Sequence, residues 1–260
     1  MEKRASPRVV LVVPCYNEAA RLDPSAFRAT DDSSRAVRFC FVNDGSRDGT
    51  LDVLRRICSE TSEGHFLVDL PGNRGKAEAV RQGLLAAIET GAPLVGFWDA
   101  DLATPLHELG DFLAILEARP DIEIVLGSRV RLLGRSIQRS PVRHYLGRVF
   151  ATGASLALGL PVYDTQCGAK VFRVTPALGA VLSEPFLTKW VFDVEILARY
   201  LRCRRAEGDS AAERLYELPL TQWTDVPGSK VSAWDFVRSG VELVRIWLAY
   251  RPGGTAREGW

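Results

Sequence analysis

The sequence has no uninterrupted apolar stretch of the ~18 residues that a membrane-spanning helix needs. Residues 1–8 also lack the apolar core of a secretion signal, so we expect a cytoplasmic protein whose membrane contact, if any, is peripheral and at the inner face. None of the five cysteines belongs to a C-x-x-C pair, which argues against a zinc module and fits reduced thiols. Because 33 basic side chains nearly balance 32 acidic ones, no overall field favours nucleic acid as a partner.

Two familiar phosphate-binding motifs are also missing. No G-x-G-x-x-G follows the first predicted strand, which excludes the usual dinucleotide-binding turn. Residues 72–76 have the wrong glycine spacing for a P-loop, and Ala77 stands where a P-loop has serine or threonine. The pattern therefore indicates a different kind of phosphate-using chemistry.

The sequence does contain a regular alternation of strand-like and helix-like segments. Its 260 residues, 47% of them hydrophobic, suffice for one large domain or a domain with a subdomain. Apolar, mostly β-branched runs such as residues 9–13 are typical of parallel strands covered on both faces, which predicts an α/β fold. Ligands bind such sheets beyond the carboxyl ends of the strands. The predicted strands are 8–14, 37–42, 66–70, 94–98 and 122–126, and the predicted helices are 51–59, 76–90 and 106–118.

Two carboxylates, Asp99 and Asp101, directly follow the apolar segment 94–98. Residues two apart in extended chain point the same way, so both carboxylates can face one point in a cleft. Their repulsion and lost hydration cost on the order of a few kcal/mol unless a cation or hydrogen-bond donors compensate, and oxygen ligands of this kind suit Mg²⁺ or Mn²⁺. Alternatively, they form an acidic turn in which Asp101 caps the helix after Pro105.

Polar residues also follow other predicted strands. Asp44 lies where a short acidic side chain can accept a hydrogen bond from a base or a ribose hydroxyl. Alternatively, residues 43–46 form a plain turn, with Ser46 or Asp48 capping the next helix. Ordinary structural roles are equally open for Tyr16, Glu18 and Lys76.

Eight short segments together carry a resemblance to a known family. Four of them, in chain order, are Val-Pro-Cys-Tyr-Asn-Glu (13–18), Asn-Asp-Gly-Ser-Arg-Asp-Gly-Thr (43–50), Gly-Asn-Arg-Gly-Lys (72–76) and Asp-Ala-Asp (99–101). The other four are Gly-Ser-Arg (127–129), Asp-Thr-Gln-Cys-Gly-Ala-Lys-Val-Phe (164–172), Trp-Val-Phe-Asp-Val-Glu (190–195) and Val-Pro-Gly-Ser-Lys (226–230). The first four resemble the family 2 glycosyltransferases of GT-A fold, and the second four resemble its branch of dolichyl-phosphate and polyprenyl-phosphate glucosyltransferases.

The resemblance implies a Rossmann-like, mixed but mostly parallel sheet sandwiched by helices. It places the glycosyltransferase domain at 1–225, with a nucleotide-binding half at 1–105 and an acceptor half at 106–225. A C-terminal loop and amphipathic helix would follow at 226–260.

For the donor site, the resemblance implies a nucleotide sugar, expected to be UDP-glucose, and a divalent cation, Mg²⁺ or Mn²⁺. Asp101, helped by Asp99, would hold that cation on the diphosphate. A cation there stabilises the negative charge that grows on the departing β-phosphate oxygen. The implied nucleotide-binding residues are Pro14, Tyr16, Glu18, Asp44, Lys76 and Asp99.

For the acceptor, the resemblance implies an inverting transfer to polyprenyl or dolichyl phosphate, whose oxygen is already ionised at neutral pH. A soluble hydroxyl acceptor would instead require a base, for which Asp193 is the candidate. Asp193 would otherwise position a substrate or cap a helix. A sugar-nucleotide-binding protein without turnover is a third alternative. The residues expected to contact the donor sugar or a phosphate are Arg129, Gln166 and Lys230.

A further feature is independent of any family. Between Glu123 and Asp164 the chain contains no carboxylate, which predicts uncompensated positive charge and an anion site, with Arg129 at a strand end as its leading member. The arginines of this stretch are Arg129, Arg131, Arg135, Arg139, Arg143 and Arg148.

Two segments predict helices that pack on the domain or lie at a membrane surface. Residues 149–163 are apolar, too short to span a bilayer, and favour a core helix. Residues 233–250 show a helical apolar stripe through Trp234, Val237, Val241, Val244 and Leu248, which Phe236, Leu243 and Trp247 broaden. The opposite face carries Arg238, Glu242 and Arg245.

Overall fold

The computed structural model describes residues 8–27, 37–60, 64–138, 141–226 and 233–251, and the side chains of all of these except 141–144 and 233–237. The strands, in chain order, are β1 (Val9–Cys15), β2 (Val37–Asn43), β3 (Phe66–Asp69), β4 (Leu94–Trp98), β5 (Ile124–Ser128), β6 (Ser136–Gln138), β7 (Ala169–Arg173), β8 (Leu215–Pro219) and β9 (Gln222–Thr224). The α-helices are α1 (Thr50–Glu60), α2 (Lys76–Glu89), α3 (Leu109–Ala118), α4 (Pro141–Leu158), α5 (Pro176–Leu182), α6 (Phe192–Ala206) and α7 (Ala233–Tyr250).

The chain divides into two compact units, and the first consists of the described residues of Met1–Leu106 and Gly168–Pro185. Its strands lie in the order β3-β2-β1-β4-β7. The pairs β1–β2, β1–β4 and β2–β3 are parallel, whereas β7 runs antiparallel to β4. The predicted α/β fold with a mixed, mostly parallel sheet is therefore confirmed.

The interior of the first unit is built on β1. Residues 9–13 have no exposed surface, as expected for a central strand covered on both faces. Helix α2 packs closely on this strand at Gly83, where an added Cβ would lie 2.3 Å from Val12 Cγ1. In this unit the predicted strands and helices differ from the observed ones by at most one residue at either end.

The second unit consists of the described residues of His107–Cys167 and Phe186–Trp260. Here β5 pairs in parallel with β8, and β6 with β9. Helices α4, α6 and α7 contact one another. The predicted strand 122–126 lies two residues too early, and the predicted helix 106–118 is a 3₁₀ turn, Leu106–Glu108, followed by α3.

The predicted helix 149–163 is wrong at both ends, because α4 spans Pro141–Leu158. Gly159 follows the helix in the left-handed conformation (φ 63°), and its N–H donates to Leu156 O. Glycine at this position is a common helix stop, since no Cβ opposes a positive φ. Ala151, Ala154 and Leu158 are buried, so α4 does contribute one face to the core.

Helix α7 buries only part of the predicted stripe. Leu243, one of the residues that broaden the stripe, is buried together with Ile246, whereas Val241, Val244 and Leu248 are each about half exposed (52%, 56% and 51%). The side chain of Phe236 lies outside the described residues. Placing Glu242 on the solvent face was wrong: its carboxylate is buried and accepts backbone hydrogen bonds. The side chains of Trp234 and Val237 lie outside the described part of the structure. Among the described helices, none combines the length and the apolar character that crossing a membrane requires.

Candidate active site

The two carboxylates after β4 lie on a tightly held turn in the first unit. Asp99 N donates to Gly168 O at 2.9 Å, just ahead of β7. An added Cβ at Gly168 would lie 2.0 Å from Asp99 Oδ2, so only glycine leaves room for this carboxylate where it stands. The antiparallel strand β7 thus brings the backbone that fixes the direction of the Asp99 side chain.

The turn continues through an unusual backbone conformation. Leu102 has φ 50°, a left-handed value that apolar side chains rarely adopt, and its N–H donates to Asp99 O. The buried Trp98 Nε1 donates to Thr104 O at 2.7 Å, which joins the two ends of the loop 99–103. Backbone outliers held in this way are concentrated at functional sites.

Asp99 and Asp101 differ in their surroundings. Lys76 Nζ lies 2.5 Å from Asp99 Oδ1, in an ion pair that is partly exposed. For Asp101, burial, followed by the charge of Asp99, raises the pKa of the carboxyl above the ordinary value. Asp101 Oδ1 accepts from Ala103 N at 3.1 Å, so it closes a local turn. It does not cap the helix after Pro105, because the N-cap position of α3 is Glu108.

The donor set at this turn fits a magnesium-like ion. Within the described residues, no three His, Cys, Asp or Glu side chains cluster as a complete metal cage. Mg²⁺ and Mn²⁺ sites that act on phosphates commonly use only one or two carboxylates, and water and substrate oxygens supply the remaining ligands. Burial and the charge of Asp99 disfavour the ionised form of Asp101, and a cation bound at this turn would favour that form.

The loop after β1 carries another acid, Glu18, whose partner Arg21 interacts with Asp101. Glu18 accepts from Arg21 Nε at 2.9 Å and Nη2 at 2.5 Å, and its own N–H donates to Thr50 Oγ1. The charge of Arg21 also acts on Asp101 and lowers its pKa. Pro14 is half-buried, and Tyr16 is 41% exposed, so its ring is available to a ligand.

Asp44 is buried and organises the neighbouring loop. Its two carboxylate oxygens accept from Arg74 N at 2.7 Å and Gly75 N at 2.8 Å. Burial raises the pKa of this carboxyl, while the same two N–H groups lower it. Contact with a nucleotide base stays a prediction for Asp44. Of the predicted caps for α1, Asp48 is the one that accepts from Thr50 N.

In the second unit, Arg129 is neutralised by a partner that the sequence pattern did not reveal. Its Nε and Nη2 donate to the two oxygens of Asp164 at 2.6 and 2.8 Å. The prediction of uncompensated charge was therefore wrong for Arg129, because it forms an ion pair with Asp164, 35 residues later in the chain. Arg131 and Arg135 are exposed, and Arg148 lies over the Tyr163 ring at 3.6 Å. The side chains of Arg139 and Arg143 fall outside the described residues.

Buried polar atoms lie next to this ion pair, on the predicted Gln166 and on Ser128 and Thr165, which the sequence did not single out. Gln166 N donates to Asp164 Oδ1, which ties Gln166 to the pair. Gln166 Nε2, Ser128 Oγ and Thr165 Oγ1 are buried and have no hydrogen-bond partner within the described residues. Cys167 is fully buried. Lys230 lies outside the described residues.

Asp193 is buried in the first turn of α6. The segment 187–191, which precedes it in the chain, is held by hydrogen bonds to two carboxylates. Glu195 accepts from Leu187 N and Thr188 N, both at 2.9 Å. Glu242 of α7 accepts from two further amides of the segment, Trp190 N and Val191 N, at 3.0 and 3.1 Å. The sequence pattern indicated no anchoring role for Glu195 and placed Glu242 on the polar face of its helix, so neither anchoring role was predicted.

Comparison with known proteins supports one family for the whole chain. The family described as "Glycosyl transferase family 2" matches residues 10–177. A dolichyl-phosphate beta-glucosyltransferase of Drosophila melanogaster is 33% identical over 97% of this chain and 78% of its own. Its namesake in Saccharomyces cerevisiae is 31% identical over 94% of this chain and 75% of its own.

A solved structure shares the fold. Glucosyl-3-phosphoglycerate synthase from Mycobacterium tuberculosis, crystallised with Mn²⁺, UDP and glucosyl-3-phosphoglycerate, superposes with a TM-score of 0.66. The alignment covers 95% of this chain and 81% of that one, at 17% identity, so it speaks for the fold alone. Because the family match spans well over half of the sequence, this chain belongs to glycosyl transferase family 2.

Proposed function

We propose that this chain is an inverting, metal-dependent glucosyltransferase that moves glucose from UDP-glucose to a polyprenyl or dolichyl phosphate. The observation that carries the proposal is the likeness to dolichyl-phosphate beta-glucosyltransferases along nearly the whole sequence. The bond from glucose C1 to the diphosphate oxygen breaks, and a new bond forms from C1 to an acceptor phosphate oxygen on the opposite face. UDP leaves, and the anomeric configuration is inverted.

In the first unit, Asp99 and Asp101 would hold a Mg²⁺ or Mn²⁺ ion, which when bound stabilises negative charge on the leaving diphosphate. The other proposed contacts to the donor are made by side chains of this protein. Tyr16 offers an exposed ring to the base, Glu18 and Asp44 offer carboxylates to the nucleoside, and Lys76 offers an ammonium to the phosphates. Pro14 completes this nucleotide-binding set.

In the second unit, Arg129, Gln166 and Lys230 are proposed to contact the donor sugar or a phosphate. Arg129 supports this role because its guanidinium lies beside Gln166, since both are tied to Asp164. Asp193 is proposed to position a substrate, because an acceptor phosphate is already ionised at neutral pH and needs no base. The buried amide of Gln166 offers a donor to a sugar hydroxyl.

The acceptor class is tested by Asp193→Asn, with UDP-[¹⁴C]glucose, MgCl₂ and either a short polyprenyl phosphate or the matching alcohol. We expect labelled lipid only with the phosphate, and a loss in the variant well below the ~10²-fold that removal of a general base costs. Asp121→Asn, an exposed carboxylate of the same unit, is the matched control. Transfer to the alcohol, together with loss of nearly all transfer activity in Asp193→Asn, would show instead that the enzyme uses a hydroxyl acceptor.

We also propose a peripheral lipid contact through the exposed apolar side chains of α4 and α7, here termed the α4–α7 apolar face. The two helices contact each other. Helix α4 contains no carboxylate, and Arg238 and Arg245 of α7 are exposed while Glu242 is buried, so the charge suits anionic lipid. The face consists of Tyr145, Leu146, Val149, Leu156, Val241, Val244, Trp247 and Leu248.

Vesicle flotation tests this contact. We expect the protein to float with vesicles that contain anionic phospholipid, and Val244→Asp with Leu248→Asp to abolish flotation, because carboxylates on the face oppose burial in the lipid interface. Leu133→Asp, at an exposed leucine outside α4 and α7, should float like the parent. A parent protein that stays wholly in the soluble fraction would contradict the proposal.

A further inference from the structure

The strongest feature that the proposed function does not explain is the position of Lys76. Its Nζ lies 2.5 Å from Asp99 Oδ1, on one of the two carboxylates assigned to the metal. Lys76 is the first residue of α2 and follows Gly75, whose φ of 92° turns the chain into the helix. An ammonium in this position occupies one of the two oxygens that Asp99 can offer to a divalent cation, and its charge opposes that of the cation.

Among the described residues, Lys76 is the cation seen in an ion pair with Asp99, and its charge also acts on Asp101. The first unit brings three carboxylates into this region, those of Asp99, Asp101 and Glu18. Arg21 is engaged by Glu18 through two hydrogen bonds. Removing Lys76 would therefore leave the aspartate doublet with a larger negative charge and a more accessible Asp99.

The ammonium of Lys76 can also move from Asp99 to a phosphate when a nucleotide binds. Its side chain is 45% exposed, and the four-carbon stem of lysine lets the ammonium swing between neighbouring anions. A nucleotide diphosphate offers anionic oxygens to which such an ammonium is attracted. A divalent cation that arrives with the diphosphate thus faces an uncovered Asp99, whereas a cation that arrives alone must displace the lysine.

We propose that Lys76 is a resident counter-ion of Asp99 that couples metal binding to nucleotide binding. It weakens the site for a divalent cation alone and releases Asp99 when a nucleoside diphosphate takes up its ammonium. The inference rests on the proposed function, because it uses that function's metal ligands and nucleotide donor. It predicts effects of opposite sign in one variant: Lys76→Met binds the bare cation more tightly and the nucleotide more weakly.

The test is a titration of Mn²⁺ into the full chain, followed by the electron paramagnetic resonance signal of free Mn²⁺, with and without UDP. In the parent we expect weak Mn²⁺ binding that UDP strengthens. In Lys76→Met we expect Mn²⁺ alone to bind roughly tenfold more tightly, within the range usual for coupled sites, and the enhancement by UDP to shrink. Lys76→Arg keeps a cation on Asp99 and should keep the weak binding of the parent.

Arg56→Gln is the control for net charge, since it removes one exposed cation of the same unit, on α1, away from the doublet. An unchanged Mn²⁺ affinity in Lys76→Met, or an equal gain in Arg56→Gln, would overturn the proposal. The Mn²⁺-only comparison does not depend on the nucleotide. A parent protein that fails to bind UDP in the presence of Mn²⁺ would therefore refute the proposed function separately. The ion pair is partly exposed, so the variants should unfold at the parent's temperature.

Discussion

Asp101→Asn is expected to lower the rate of glucosyl transfer by roughly 10²-fold or more, the usual effect of removing a main electrostatic stabiliser of a transition state. The neutral amide keeps the shape of the side chain but removes the charge of a partly buried carboxylate of the doublet. Initial rates with UDP-glucose and a polyprenyl phosphate, measured across a MgCl₂ series, give the change. EDTA should stop the parent enzyme in the same assay.

The same substitution should leave the fold as stable as before, or more stable. Burial and the charge of Asp99 raise the pKa of Asp101 above its unfolded value, so the ionised form is disfavoured in the folded state. For an acid this cost is present above the folded pKa and disappears as the pH falls below the unfolded one. Asparagine carries no such cost at any pH, so thermal unfolding at neutral pH should not move to lower temperature.

Asp52→Asn serves as the control for Asp101→Asn, because Asp52 is an exposed carboxylate of α1 in the same unit. It should change neither the rate nor the unfolding temperature by much. Full turnover of Asp101→Asn, or of the parent in EDTA, would contradict the assignment of the doublet to a metal.

Glu195→Ala is expected to lower the free energy of unfolding by about 3–5 kcal/mol, the usual cost of breaking a buried ion pair from one side. Glu195 has no exposed surface, and its Oε1 accepts from Arg199 Nη2 at 2.8 Å and from the Tyr250 hydroxyl at 2.9 Å. Alanine would leave the buried Arg199 without this carboxylate and the amides of Leu187 and Thr188 without an acceptor. Urea denaturation followed by circular dichroism measures the loss.

Glu195→Gln separates the charge from the hydrogen bonds, since its amide oxygen can still accept from the backbone, and it should lose less than alanine. Glu213→Ala, at an exposed glutamate of the same unit, should fall within the ~0.5 kcal/mol typical of surface positions. If Glu195→Ala also stayed within that range, the anchoring of the segment ahead of Asp193 would have to lie elsewhere.

The order of the strands and helices in the first half of the chain was predictable from local patterns. Continuous apolar runs mark buried parallel strands, and helical spacing marks the segments between them, so β1 to β4 were located within one residue at either end. The polar residues at the strand ends followed from the same reasoning, because the carboxyl ends of parallel strands are where such sheets bind ligands.

Features that join distant parts of the chain were not predictable in this way. Strand β7 returns from 70 residues downstream to pair antiparallel with β4. Asp164 neutralises Arg129, whose charge looked uncompensated within its own stretch. Glu242 stands on the polar side of a helical wheel but is buried, because its carboxylate accepts from two backbone amides that lie 51 and 52 residues away.

By itself the sequence determined the α/β class, the positions of the polar strand ends and the resemblance to family 2, since each depends on residues close together along the chain. Only the tertiary structure decided which charges are paired, above all Lys76 on Asp99 and Arg129 on Asp164. The physical reason is that an ion pair depends on distance in space. Spacing along the sequence reports that distance within one helix or strand, and not between elements that folding brings together.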